Sequence, residues 1–204
     1  VQGYTTSANY PYADRVELGE ASVNYARPSV LATVDAFSGR VDLFLTDKTD
    51  PIARAWAEAF PTLFRPEEEI PAELRGHLRY PADLFAAQAT AYERFHVTQP
   101  DQFASDADAW SRPISLSGSL EVAGDVDFDE SDEDDLRATM EPGYKFSSPP
   151  GETRPVLLLE TYFSPRRGQN LVGSLSGWLD EQGRPHLARG GIGSRQHLDL
   201  APAR

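Results

Sequence analysis

His77, Arg79, Tyr80 and Asp83 fall within seven residues of one another, in the stretch HLRYPAD, and a second histidine, His96, follows downstream. An imidazole, a guanidinium, a phenol and a carboxylate at this spacing have the parts for general acid–base work, because histidine titrates near neutrality and a carboxylate can orient it. A structural reading competes. Pro81 pushes Tyr80 out of the α region and marks a break between two helices. Asp83 then falls in the first turn of the second helix, where negative charge favours the macrodipole. His77 falls near the end of the first. This reading accounts for Pro81 and Asp83 without chemistry and is preferred. HLRYPADLF is therefore expected to be a helix–helix joint, with Arg79 and Asp83 placed to pair across it. His77, Arg79, Tyr80 and Asp83 remain candidates for binding; no residue is assigned to catalysis.

Tyr10 and Tyr12 flank Pro11, with Tyr4 close by. Such clustered aromatics either pack a loop onto the body or form an exposed platform for a ligand, and both tyrosines are binding candidates. Other signatures fail on inspection. Gly173-Ser-Leu-Ser-Gly177 has glycines at nucleophile-elbow spacing, but Leu175 stands where serine should be. Gly191-Ile-Gly193 lacks the third glycine of a dinucleotide fingerprint. No His-Glu-x-x-His pair exists among His77, His96, His186 and His197. Asp125, Asp127 and Asp129 alternate like the start of a calcium loop, yet Glu130 replaces the glycine and Leu136 the terminal acid. They are a weak cation candidate, and no cofactor is expected. Acids are too abundant for a glycosidase-type carboxylate pair to be singled out.

The elements that must position these residues come from a chain of 204 residues with a formal net charge of -13. Nucleic acid is disfavoured as a partner, since a binder neutralises phosphates with a basic face. The absence of cysteine removes disulfides, thiol nucleophiles and cysteine metal sites together. The longest strongly apolar run, Val156 to Leu159, is far below the roughly 20 residues of a spanning helix. The chain starts at Val1 and is read as a piece of a longer protein.

Val30 to Leu45 alternates in hydrophobicity around Ser38-Gly39, which predicts a β-hairpin over about 28–46. Asp50 and Pro51 form a helix entry, cap and first position, and Ile52, Trp56 and Ala59 or Phe60 share one face. Helices are also predicted from Pro71 and Pro81, and a capped turn at Thr98–Phe103. VLLLETYF reads as a buried strand over about 155–163. Leu171, Val172, Leu175, Trp178 and Leu179 suggest a helical stripe that Gly183 ends. Residues 117–139 are acidic and expected to be a mobile insertion. The rest, 1–116 and 140–204, is expected to form one α+β domain: a small, mainly antiparallel sheet covered by short, proline-initiated helices.

Read in order, YTTSANYPYA, NYARPSVLATVDAFSG, DPIARAWAEAFPTLFRP, IPAELRGHLRYPADLF, FHVTQPDQF and PVLLLETYFSPRRGQNLVGSL resemble an uncharacterised protein family of large multipass membrane proteins from actinobacteria and some other bacteria. HLRYPADLF and RRGQNLVGSL are the most specific pieces. The resemblance implies that the chain is part of a long extracytoplasmic region attached to a membrane-helix bundle. It carries over no activity, cofactor or catalytic residue. The expected role is a binding or interaction module, with the rest of its own chain or a cell-envelope protein or polymer as partner. A structural spacer and an envelope-polymer hydrolase are the alternatives.

Overall fold

A computed structural model describes residues 1–113, 140–149, 153–166 and 170–191. Its described residues divide into two compact units, Val1–Ala87 with Glu181–Gly183 and Gln88–Asp180 with Arg184–Arg204. The acidic segment 117–139, with Asp125, Asp127 and Asp129, lies outside the described residues.

In the first unit, β1 (Gln2–Ser7) is followed by a short ribbon of β2 (Val16–Leu18) and β3 (Ala21–Val23). The predicted hairpin is β4 (Tyr25–Val34) and β5 (Val41–Leu45), with Val34 opposite Val41. Asp35 shapes its turn by accepting hydrogen bonds from the N–H groups of Phe37 and Ser38, while Gly39 takes φ +71°. Next comes α1 (Pro51–Ala59), capped by Asp50 through the Ile52 N–H at 2.9 Å. β6 (Phe64–Pro66) and a single 3-10 turn (Glu67–Glu69) lead to α2 (Ala72–Arg75). The sheet order is β1-β4-β5-β6; β6 runs parallel to β5, and the other pairs are antiparallel. Leu31, Phe44 and Ile70 form one core cluster with Leu78 against it. Leu18, Val23, Leu84 and Ala87 form a second.

The division between units falls inside α3 (Ala82–Phe95). The second unit continues with α4 (Pro100–Ser105), β7 (Trp110–Ser111), β8 (Gly143–Ser147), β9 (Val156–Pro165), β10 (Gly173–Leu179) and β11 (Pro185–Gly191). Its antiparallel sheet runs β11-β10-β9-β7, with β8 beside β9 as well. Leu159, Phe163 and Leu175 are fully buried within it.

The α+β architecture with mainly antiparallel sheets matches the expectation, as do the hairpin, the three proline-initiated helices and the strand at 156. The hairpin and that strand, however, belong to separate sheets. The predicted helix at 171–179 is also overturned: it is strand β10. Four of its seven residues are Gly173, Ser174, Ser176 and Gly177, poor helix formers. It lies between β9 and β11 and is buried on both faces, so its apolar residues need not alternate. Gly183, expected to stop a helix, instead takes φ +79° between β10 and β11.

Candidate functional site

The joint expected at HLRYPADLF is present, since α2 ends at Arg75 and α3 begins at Ala82. It does not gather its polar residues. Tyr80 is buried, edge-on to Phe85 with ring centroids 6.1 Å apart. His77 is exposed, and its backbone N–H donates to the Leu74 carbonyl. Arg79 donates to the Gly76 and Leu78 carbonyls rather than to Asp83. The Asp83 carboxylate instead accepts the Tyr4 hydroxyl at 2.6 Å and the Leu84 N–H. A partner from β1, far away in sequence, therefore takes the place of the expected ion pair.

Tyr10 and Tyr12 lie on one loop and are both exposed. Asn24 organises that loop. It accepts the Tyr10 N–H at 2.9 Å and donates to the Tyr10 and Ala13 carbonyls. Tyr10 stacks on Tyr25 at 5.6 Å, and Tyr12 holds a left-handed φ of +61°. That conformation costs a residue with a bulky side chain, so the surrounding loop must impose it.

Three clusters were missed by sequence reasoning. The first centres on Asp50, which is fully buried. Besides capping α1, it accepts the hydroxyls of Thr5, Ser29 and Tyr25. Desolvation pushes its carboxyl up, but the hydrogen bonds from Ser29, Thr5 and the helix amides outweigh that and hold it below the ordinary value. Beside it, Arg27 pairs with Asp47 at 2.5 Å and donates to Thr49. For Asp47 desolvation is again opposed, by hydrogen bonds from Thr49 and by Arg27, and the net direction is downward. Asp50 was legible as a cap; its hydroxyl partners on β1 and β4 carried no local signal.

The second cluster lies on one face of the second unit's sheet. Glu160 accepts from Lys145, from the Tyr162 hydroxyl and, at 3.1 Å, from the Ser176 hydroxyl. Period-two spacing places Glu160 and Tyr162 on one side of β9, and register brings Ser176 opposite Glu160. Burial pulls the Lys145 ammonium below its ordinary value. Serine, lysine, tyrosine and glutamate are the components of acyl-transfer sites. Here all three donors converge on the carboxylate, so the serine proton is directed into the network and the arrangement ties three strands together.

The third cluster surrounds Trp110. The His96 ring stacks on it with centroids 3.6 Å apart, and the Arg189 guanidinium lies 5.3 Å from its centroid. Each His96 ring nitrogen faces a backbone carbonyl: Nδ1 that of Tyr92 at 2.8 Å, Nε2 that of Asp108 at 3.0 Å. A neutral ring can donate to only one of them at a time. Tyr92 and Phe163 complete the aromatic group, and burial raises the Tyr92 phenol above its ordinary value. Among the described residues no group of three or more His, Asp or Glu stands ready to hold a metal ion.

These clusters define an α+β protein whose clustered polar groups join its elements, with aromatic side chains left on the surface of both units. Residues 1–192 match the model of Uncharacterised protein family (UPF0182), and the chain belongs to that family. It is similar to a UPF0182 protein of Salinispora tropica, 39% identical over 205 residues that cover 92% of this chain and 19% of that protein. It is also similar to one from Methanospirillum hungatei, 39% identical over 176 residues, covering 85% of this chain and 18% of the relative. The chain thus spans less than a fifth of the length of the curated relatives it matches. No solved structure matches it.

Proposed function

We propose that the chain is an extracytoplasmic interaction module of a larger integral membrane protein, and that the Tyr10–Tyr12 loop is one of its contact surfaces. The observation that carries this reading is the construction of that loop. Its backbone is tied down by Asn24, yet Tyr12 is fully exposed and Tyr10 is 53% exposed. Tyrosines on an ordered loop lose little conformational freedom when a partner covers them. The partner is the rest of its own polypeptide or a cell-envelope protein or polymer. The membrane setting rests on the family resemblance; none of the described helices is long and apolar enough to cross a membrane.

Two measurements on the full-length protein in its own membrane test this. A photo-cross-linking amino acid in place of Tyr12 should capture one stoichiometric envelope component or a defined segment of the same chain. Cross-links spread over many unrelated proteins would end the module reading. Lys48, whose side chain is 58% exposed, is one of only two lysines. It should react with a membrane-impermeant amine reagent in intact cells. Labelling only after lysis would place the segment on the other side.

A further inference from the structure

α1 carries an apolar stripe that the fold leaves unused. Ile52, Trp56 and Phe60 recur at four-residue spacing, and Leu63 follows the end of the helix. An amphipathic helix of a globular protein ordinarily turns such a stripe to the core. In α1 the one buried residue is Ala53. Trp56 is 53% exposed, Phe60 50% and Leu63 43%. The helix is anchored at its N-terminus instead, by the Asp50 cap and the hydroxyls of Thr5, Ser29 and Tyr25 that hold it. That polar anchor fixes the helix without using its aromatic face. Trp56 and Phe60 are also stacked on each other, with centroids 5.6 Å apart and planes inclined by 18°. They are ordered before any partner arrives, which lowers the cost of covering them. A tryptophan in such a patch is the residue type most often found to dominate a contact.

We infer that the Ile52–Trp56–Phe60–Leu63 face is the docking surface for an apolar segment of the same polypeptide, outside these 204 residues. Chain length and charge select that occupant. The curated relatives carry most of their length outside the matched part, so a tethered partner is available. A tethered segment docks at an effective concentration on the order of millimolar, so a small patch suffices. A contact between separate molecules needs roughly 800 Å² and 20–30 residues a side, far more than this stripe offers. A second copy is also opposed by the net charge of -13 on each. The inference rests on the reading of the chain as one module of a longer polypeptide. It does not depend on the tyrosine loop or on which side of a membrane the module lies.

The test uses the full-length polypeptide. p-Benzoylphenylalanine in place of Trp56 should cross-link, on irradiation, to a peptide of the same chain outside this segment, with no gain in mass beyond one polypeptide. The same group in place of the exposed Glu17 should not. An adduct of twice the mass, an adduct to a different protein, or no adduct overturns the inference. A second variant leaves the aromatic stripe intact. Ala59→Cys, on the same helix face, should lose maleimide alkylation in the folded full-length protein and regain it in denaturant. Phe37→Cys, at the fully exposed hairpin tip, should react throughout. Equal reaction at both sites also overturns the inference. Failure here with a specific cross-link from Tyr12 would leave the module reading standing; the reverse pattern would remove the tyrosine loop alone.

Discussion

The two units organise their interiors differently. In the first, a buried carboxylate joins sheet to helix: Asp50 collects hydroxyls from β1 and β4 and caps α1. In the second, aromatic rings join helix to sheet, with Phe163 fully buried beside Trp110 and Tyr92 and with His96 and Arg189 both against Trp110, while the Glu160 carboxylate ties strands to one another. The difference has a consequence for what stays on the surface. A helix fixed by hydrogen bonds at one end can leave its aromatic stripe exposed, whereas rings recruited to join elements are consumed by the fold.

The largest expected effect is in the second unit. Phe163→Ala removes a fully buried ring among other rings and should cost about 4 kcal/mol, read by urea unfolding. Amide hydrogen exchange should localise the loss to peptides of β9 and β10. Asp50→Ala comes next. It removes a helix cap and strands two buried hydroxyls, a loss of about 3 kcal/mol, localised by exchange to α1 and β4. Equal losses of protection across both units in either variant would contradict the separate anchoring described here.

The Asp50 site also predicts a pH dependence. Its folded-state pKa is depressed, so its contribution is fully present above about pH 4, the ordinary carboxylate value. It is lost as pH falls through the lower folded-state value. Asp50→Asn should therefore flatten the acid limb of the stability profile. An unchanged limb would show that Asp47, which is shifted in the same direction, dominates it.

Gly173→Ala sharpens the comparison at smaller scale. A Cβ there would stand 3.1 Å from the Trp110 ring and 3.3 Å from the Gly190 carbonyl oxygen. A cost of about 2 kcal/mol is expected from this overpacking. Gly190→Ala meets only the rotatable Ser174 hydroxyl at close range and should cost less. The smallest effect belongs to Trp56→Ala, which should stay within about 0.5 kcal/mol of the parent chain, as for a surface substitution. A large loss would mean that the aromatic stripe belongs to the fold after all.

Elements whose signals are local were legible. The hairpin at 28–46 has period-two alternation around a turn, and Asp50-Pro51 is a cap followed by a proline that surrenders no needed donor. HLRYPADLF was legible as a joint because Pro81 acts on its own neighbour. Strand β10 was not legible. Its apolar spacing fits a helix, and pairing with β9 on one edge and β11 on the other, with burial on both faces, selects the strand. The candidate sites divide along the same line. Glu160 and Tyr162 share a face that spacing alone predicts, but their partners Lys145 and Ser176 are supplied by other strands. Asp83 was placed correctly at the start of α3 and given the wrong partner, because Tyr4 approaches from 79 residues away.

By itself the sequence determined the composition class, the positions of turns and helix starts, and the family. All of these follow from interactions between near neighbours or from totals over the chain. Tertiary structure decided which polar groups are buried together, which sheet each strand joins, and that the aromatic face of α1 is left open. Those outcomes depend on contacts between residues tens of positions apart, and a period or a motif holds no record of them.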